Sequence, residues 1–191
     1  MKTMYKIILS SIFLIPLIGT SQNETKCSKQ GGVYLTAKEF ASNAFTDSIC
    51  LDNENNKVAL RGPGNTIVII SENEKRKYDE GKIYGFSDGE KKYRYYYDGA
   101  FSSFGYYPIA NTNGLIIYYK RSYDPAMVPI PSDVYFYSIG YDSPMKSLTL
   151  KNLKKDFDNK EFIKGVEALK DLGEKVGDDF KINVLYKKYF K

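Results

Sequence analysis

The sequence predicts an α+β fold, in which an antiparallel β-meander or a partial barrel is followed by a C-terminal helical segment. Tyrosine and phenylalanine are frequent, with 18 and 11 copies, and such residues favour strands. Asp-Gly and Asn-Gly dipeptides, which favour tight hairpin turns, divide the middle of the chain. Apolar residues take a helical period only near its end. We therefore expect one domain, with a β-rich region at 33–150 and helices in 151–191 that pack on it.

The first 21 residues have the layout of a secretory signal peptide. Lys2 and Lys6 give a positive start, an apolar run covers residues 7–19, and small residues follow it. The run is shorter than the roughly 20 residues that a membrane span needs, and Pro16 disfavours a permanent membrane helix. The sequence therefore predicts a secreted or periplasmic protein with no transmembrane segment in the mature chain. A buried N-terminal helix of the fold is the alternative.

Cys27 and Cys50 are the only cysteines of the chain. In an oxidising compartment an even cysteine count usually indicates a disulfide, so we predict that these two are bridged. The bridge would remove roughly 3 kcal/mol of conformational freedom from the unfolded chain. A reactive thiol and a lipid anchor on Cys27 are the alternatives, although the residues before Cys27 are polar and fit an anchor poorly. Residues 22–32 are expected to form a flexible N-terminal segment.

The chain contains no histidine, which excludes several kinds of chemistry. Hydrolases that pair serine or cysteine with histidine need this residue, and so do histidine-ligated zinc sites. Loss of the two signal-peptide lysines leaves a net charge of +3, from 26 basic minus 23 acidic residues. This excess is mild, whereas nucleic-acid-binding proteins show a clustered basic face, so we predict no nucleic-acid partner. We also predict no metal site, no cofactor and no catalytic residue.

The elements can be predicted in order along the chain. Thr36 to Glu39 has the pattern of a capping box, which indicates a short helix that buries Phe40. The continuous apolar run 66–70 predicts a central strand, paired with a strand at 58–61. Asp88-Gly89, Asp98-Gly99 and Asn113-Gly114 then separate four meander strands, at 82–86, 91–97, 103–110 and 115–120, and further strands are expected at 134–139 and 147–150.

The hydrophobic period changes after the last predicted strand. Phe162, Val166, Leu169 and Val176 fall on one face of a helix. Asp178-Asp179 is expected to cap a second helix. The predicted inner face of this second helix consists of Ile182, Leu185, Tyr186 and Tyr189.

Tyr93, Tyr95 and Tyr97 are the candidate ligand-binding residues. They alternate along one predicted strand and therefore share a face. Tyrosine offers a large amphipathic surface on few rotatable bonds, which suits contacts with sugar rings or peptides. We expect a non-enzymatic binding module for a cell-envelope or extracellular ligand, either a glycan or a protein. The simpler interpretation is that tyrosine serves here as a strand former whose hydroxyl reaches water.

Carboxylates near the turns of the meander provide the enzymatic alternative. Two carboxyl groups about 5–9 Å apart across a cleft can hydrolyse a glycan. The sequence cannot place the side chains at that distance, and acidic residues are common in turns. A structural surface protein is a third hypothesis. The candidates for the carboxylate-dependent hydrolase are Asp79, Glu80, Asp88, Glu90 and Asp98.

Two short stretches resemble a group of uncharacterised secreted β-rich proteins of Gram-negative bacteria. The first is Gly32-Val33-Tyr34-Leu35-Thr36 with Phe40, and the second is Ile83 to Gly89 (IYGFSDG) with Tyr93. The resemblance implies a β-rich body that precedes a lysine-rich helical tail. It implies no activity and assigns no functional residue.

Overall fold

The computed structural model describes residues 27–62, 65–97, 104–122 and 132–191. These residues form an α+β fold with an eight-stranded, a three-stranded and a two-stranded antiparallel sheet, and with helices concentrated at the C-terminus. The predicted signal peptide and the Asp98-Gly99 turn lie outside the described residues. No helix in the described part of the chain has both the length and the hydropathy needed to cross a membrane.

The elements follow one another in this order: β1 (Gln30–Tyr34), α1 (Ala37–Ser42), β2 (Asp47–Cys50), β3 (Lys57–Arg61), β4 (Thr66–Ile70), β5 (Lys75–Tyr78), β6 (Gly85–Ser87), β7 (Lys92–Tyr97), β8 (Phe104–Asn111), β9 (Ile116–Ser122), β10 (Ser132–Ser138), β11 (Lys146–Ser147), α2 (Leu150–Asp156), α3 (Lys160–Glu167), β12 (Lys175–Val176), β13 (Asp179–Phe180) and α4 (Lys181–Phe190).

The large sheet has the strand order β11-β10-β9-β8-β7-β6-β1-β2, and every neighbouring pair is antiparallel. Strands β6 to β9 occupy the four segments of the predicted meander, which is therefore confirmed. The strand order is linear and ends at β2 and β11, so the partial-barrel alternative is not confirmed. Strand β1 begins at Gln30, inside the segment that was expected to be flexible.

Glycine is required at the turns of this meander and at one close approach. Gly89 and Gly114 have φ angles of +87° and +133°, which side chains with a Cβ rarely adopt. At Gly85 in β6, an added Cβ would meet the Phe40 ring and the carbonyl oxygen of Tyr93. The Phe40 ring can therefore lie directly on the sheet. The predicted capping box is also present, because Thr36 and Glu39 each accept from the other's backbone N–H.

The three-stranded sheet covers one face of the large sheet near β1, β6 and β7. Its order is β3-β4-β5, and β4 is central as predicted. Ile67 and Ile69 of β4 face inward and are fully buried against Val33 and Phe86 of the large sheet. We call the whole buried cluster at this place the small-sheet core, and its buried residues are Val33, Val58, Ile67, Ile69, Ile83, Phe86 and Tyr106. A disulfide joins Cys27 to Cys50 of the edge strand β2, as predicted, with a Cα–Cα distance of 5.6 Å.

Helices α2, α3 and α4 cover the same face near β8, β9 and β10. Phe162, Val166 and Ile182 are at most 1 % exposed and contact Ile117 and Tyr137 of the sheet. We call the whole cluster at this place, with the partly buried residues packed against it, the helical core, and its buried residues are Leu115, Ile117, Tyr137, Leu148, Leu153, Phe157, Phe162, Val166, Phe180 and Ile182. The predicted inner face of the last helix is confirmed, because its four residues all belong to this core: Ile182, Leu185, Tyr186 and Tyr189.

The opposite face of the large sheet is concave. The rings of Tyr96 in β7 and Phe136 in β10 lie 5.1 Å apart, although two strands separate them. Neighbouring strands are about 4.8 Å apart, so the sheet must curve for these rings to meet. Arg94 is buried on this face and donates to the hydroxyls of Tyr118 and Ser138, at 3.1 Å each.

Three expectations for the C-terminal region were wrong. Val176 lies in β12 and is 53 % exposed, because the chain turns at Gly177, whose φ is +59°, into a short hairpin instead of continuing a helix. Asp179 belongs to β13, and Phe180 precedes α4 without a side-chain cap. Leu150 starts α2 instead of ending a strand, since Thr149 accepts from the backbone N–H of Asn152 and begins the helix there.

Candidate functional site

Tyr93 and Tyr95 lie on the side of β7 that faces the three-stranded sheet. Tyr93 stacks on Phe86 with ring centroids 4.4 Å apart and donates its hydroxyl to Asp88 at 2.8 Å. Tyr95 packs at a tilt against Tyr106, at 5.2 Å. Both rings are therefore partly buried against the small-sheet core, and burial raises the pKa of each hydroxyl.

Tyr97, the third predicted ligand-binding residue, stands apart from the other two. It is 61 % exposed, whereas the small-sheet core takes up much of the surface of Tyr93 and Tyr95. The structure therefore divides the predicted set into two packed rings and one open ring. Only Tyr97 of the three offers most of its ring to solvent.

A different pair of tyrosines lines a cleft on the same face of the large sheet. Tyr119 in β9 and Tyr135 in β10 are direct partners across the two strands. With Ala110 in β8 they line a cleft of about 320 Å³ beside the helical cover. We call this the tyrosine cleft. Its volume falls at the lower end of the range of small-molecule sites, which suits a ligand of about one ring.

Basic side chains surround the tyrosine cleft. Lys91, the residue before β7, donates to the hydroxyl of Tyr119 at 3.0 Å, and this bond raises the pKa of Lys91. Arg121 projects beside Tyr119 with 65 % of its side chain exposed, and its Nε lies 3.6 Å from a carboxylate oxygen of Asp133. Lys175 of β12 completes the wall. The cleft thus carries three cations and one carboxylate.

The hairpin after α3 holds Tyr135 in place. A Cβ at Gly173 would overlap the Tyr135 ring, so glycine lets the backbone lie against that ring. The Phe180 ring also packs against the Tyr135 ring in an edge-to-face arrangement, with centroids 5.2 Å apart. Burial raises the pKa of the Tyr135 hydroxyl, which therefore remains a neutral hydrogen-bonding group at physiological pH.

Three of the five carboxylates proposed for hydrolysis have local structural partners, and a fourth, Asp79, lines a groove on the three-stranded sheet. Asp88 accepts from the backbone N–H groups of Glu90 and Lys91, at 2.9 and 2.8 Å, and from the Tyr93 hydroxyl. Glu80 accepts from Asn65 at 2.9 Å, and Glu90 pairs with Lys29 at 3.2 Å. These contacts hold turns and loops together. Asp98 lies outside the described residues.

Hydrogen bonds lower the pKa values of three other carboxylates. Thr46 is the main cause for Glu39, and Ser28 is the main cause for Asp52. Burial would raise the pKa of Asp156, but hydrogen bonds from Lys146 and Tyr137 outweigh it and lower the value. A general acid needs a raised pKa, so these groups give no support to acid catalysis.

Asp52 is the one carboxylate that the described residues place beside both cysteines. The two sulfur atoms form a disulfide, so neither is a thiolate that could bind a metal ion. The Asp52 carboxylate instead accepts from the backbone N–H and the hydroxyl of Ser28, at 2.8 and 2.7 Å. The Asp52 carboxylate therefore holds Ser28, the residue after Cys27, in place.

The sequence analysis did not single out most of the cleft residues. Tyr119 and Tyr135 become neighbours only in the register that pairs them across β9 and β10, and no local pattern in either strand sets that register. Lys91 and Lys175 are distant in sequence and meet through the tertiary fold. The alternation of Tyr119 with Arg121, and of Asp133 with Tyr135, is the one local signal for the cleft.

No protein-family model matches the chain, and no curated protein and no solved structure shows significant similarity to it. The geometry of the site therefore carries the functional argument.

Proposed function

We propose that the protein is a non-enzymatic binding module for an extracellular or cell-envelope ligand, and that an acidic sugar occupies the tyrosine cleft. The observation that carries the proposal is the meeting of two tyrosine rings and three basic side chains in one cleft of about 320 Å³. Aromatic rings stack on the apolar face of a sugar, and cations bind its carboxylate or sulfate group.

Each wall of the cleft has a role in this arrangement. The Tyr119 ring forms the floor on which the sugar ring lies. Lys91 contacts the Tyr119 hydroxyl, Arg121 lies two residues further along β9, and both carry donors suited to a carboxylate. Lys91 is held by the Tyr119 hydroxyl, so part of the entropy cost of fixing this long side chain is met before the ligand arrives.

The setting of the protein supports an extracellular ligand. A disulfide between Cys27 and Cys50 is typical of oxidising compartments, and the first 21 residues have the pattern of a signal peptide. Sugars with carboxylate groups are abundant ligands outside the cytoplasm. The carboxylate-dependent hydrolase gains no comparable support, because Glu80, Asp88 and Glu90 hold turns and loops. Asp79 is the one carboxylate among the described residues that line its groove.

Binding of galacturonic and glucuronic acid, followed by NMR titration of the tyrosine signals, tests the proposal. The acidic sugars are expected to bind, and galactose and glucose to bind much more weakly. An aromatic contact of about 0.5–1.5 kcal/mol predicts a loss of about two- to tenfold for Tyr119→Ala. Lys91→Gln is expected to reduce the preference for the acidic sugar, because it removes one cation.

Tyr97→Ala is the matched control, since it removes a more exposed tyrosine outside the cleft. It is expected to leave the affinity unchanged. Equal binding of neutral and acidic sugars would contradict the proposal. So would a loss of affinity in Tyr97→Ala as large as the loss in Tyr119→Ala.

A further inference from the structure

The outer face of the three-stranded sheet carries a groove of about 560 Å³. No residue that lines this groove also lines the tyrosine cleft. Strand register places the residues of the groove in three rows. Arg61 of β3 lines one side of the groove, and Lys57 extends this wall because the register places it on the same face, opposite Ile70. Lys75 and Lys77 of β5 form the other wall. The central strand β4 supplies the floor, and we call this surface the basic groove. Its floor residues are Thr66, Val68 and Ile70.

The floor of the basic groove is recessed. Val68, at the middle of the outer face, is only 3 % exposed, and Thr66 and Ile70 on either side of it are partly buried. All four basic side chains of the walls are exposed. The walls therefore stand above an apolar and hydroxyl floor, with charge confined to the two rims.

The charge of the groove is not neutralised within the protein. In the part of the chain that the structure describes, Lys57, Arg61, Lys75 and Lys77 make no ion pair, and Asp79 is the one carboxylate of the lining. Arg76 lies between the two lysines of β5 but points to the inner face, where it pairs with Asp47 at 2.7 Å. The same strand thus has a neutralised inner cation and two unneutralised outer cations.

We propose that the basic groove binds a linear acidic polysaccharide, which lies along β4 between the two basic walls. The walls are two strand spacings apart, about 10 Å, which leaves room for one extended chain. The two lysines of β5 are two residues apart, which is about 7 Å along a strand, and the two cations of β3 are four residues apart, which is about 13 Å. A polymer with acidic groups on alternating sides of its backbone meets both rows and covers the floor with its sugar rings.

The shape of the groove disfavours the other common polyanions. Proteins that bind single-stranded nucleic acids stack the bases on aromatic side chains, and the floor and walls described here consist of aliphatic, hydroxyl and charged residues. Peripheral membrane proteins insert exposed apolar side chains between lipids, but Val68 is recessed below the basic walls. A polysaccharide that is held by its acidic groups needs neither aromatic side chains nor protruding apolar side chains.

The inference stands separately from the tyrosine cleft. The groove lies on the outer face of β3, β4 and β5, whereas the cleft is lined by residues of the large sheet and of β12. Loss of binding at one site therefore leaves the other intact. A single acidic sugar tests the cleft, and a long polymer tests the groove.

Binding of polygalacturonate, measured by isothermal titration calorimetry, tests the inference on the double variant Lys75→Gln/Lys77→Gln. The wild-type protein is expected to bind the polymer, with an affinity that falls as salt rises, because the attraction between exposed charges is screened. Removal of two of the four cations is expected to weaken binding about tenfold. The melting temperature should not change, since both side chains are exposed.

Lys151→Gln/Lys170→Gln is the matched control, because it removes the same charge from exposed lysines on the helical side. It is expected to leave the affinity for polygalacturonate within about twofold of wild type. Equal weakening by both double variants would overturn the inference, since net charge alone would then explain the binding.

Three further results would also overturn it. One is the absence of polymer binding at physiological salt. Another is tighter binding to phosphatidylglycerol vesicles or to oligothymidylate than to polygalacturonate. The third is aggregation of Lys75→Gln/Lys77→Gln with unchanged polymer affinity, which would show that the lysines of β5 protect an edge strand.

Discussion

One face of the large sheet is covered by a small sheet at one end and by helices at the other, and the two covers are held in different ways. The helical core has ten buried residues among those described, and the small-sheet core has seven. The smaller core is supplemented by a disulfide and by polar contacts to β2. Asp47 of β2 accepts from Arg76 and from the Tyr78 hydroxyl, both on β5.

The difference shows how the small sheet keeps an outer face available. Its inner face, with Ile67 and Ile69, is anchored by apolar contact and by Asp47 at one edge. The outer face is then not needed for stability and can carry unneutralised cations. The helices differ from the small sheet, because each has one apolar side that must be buried, and most of their charged residues are exposed to solvent.

Phe162→Ala should have the largest effect, because the helical core depends on apolar contact. Phe162 is fully buried in this core. Its truncation is expected to lower the free energy of unfolding by about 3–5 kcal/mol. Urea denaturation measures the change. Val184→Ala, at a position that is 44 % exposed on α4, is the control and should cost no more than about 0.5 kcal/mol. A loss below about 1 kcal/mol in Phe162→Ala would contradict the comparison.

Removal of the disulfide should have the next largest effect. Cys27→Ser/Cys50→Ser reopens a loop of 23 positions and is expected to cost about 3 kcal/mol. Hydrogen exchange should show lost protection in β1 and β2, with α3 less affected, because the bridge joins the chain only to the β2 edge. Equal deprotection of β2 and α3 would show that the two covers do not differ in this respect.

Asp47→Ala should have the smallest effect of the three. It removes the partner of Arg76 and Tyr78, and such charged hydrogen bonds are worth about 1–2 kcal/mol at a partly exposed site. Glu74 is a second acidic partner of Arg76, and its side chain is 57 % exposed. Glu74→Ala should therefore cost no more than about 0.5 kcal/mol. Thermal or urea unfolding of both variants provides the comparison.

The same variant has a signature at alkaline pH. Burial, and then the hydrogen bond to Asp47, raises the pKa of Tyr78 to about 12, against about 10 in an unfolded chain. Its contribution to stability is therefore complete below pH 10 and is lost as the pH rises through about 12. In Asp47→Ala the pKa of Tyr78 should fall, and NMR of ¹³C-labelled tyrosine can follow it. An unchanged pKa would show that burial alone sets the value.

Local patterns in the sequence predicted the elements whose stability is local. The capping box at Thr36 and Glu39 and the glycines at 89 and 114 each act within a few residues, and the structure has all of them. The disulfide was predictable from composition, because only one pairing was available. Val176 was assigned to a helix because its spacing fits one, but Gly177 and the pairing of β12 with β13 override that spacing.

The candidate sites were less predictable, because they depend on contacts between distant residues. Nothing in the alternation of Tyr93, Tyr95 and Tyr97 reveals that a second sheet lies against the first two. The basic groove needs β3 and β5 to flank β4 in one register, which places Lys57 and Lys75 on opposite sides of Ile70. A one-residue slip would move these lysines to the inner face.

The disulfide has a mechanical consequence for any load applied at the N-terminal end of the described chain. Cys27 precedes β1, and Cys50 lies in β2 directly opposite Gln30, the first residue of β1. Tension that arrives at Cys27 therefore enters both strands at the same end. Strand β1 cannot be peeled from β2 one hydrogen bond at a time, because the covalent bond takes the load where the pair begins. A tethered form of the protein would transmit pulling forces to two strands at once.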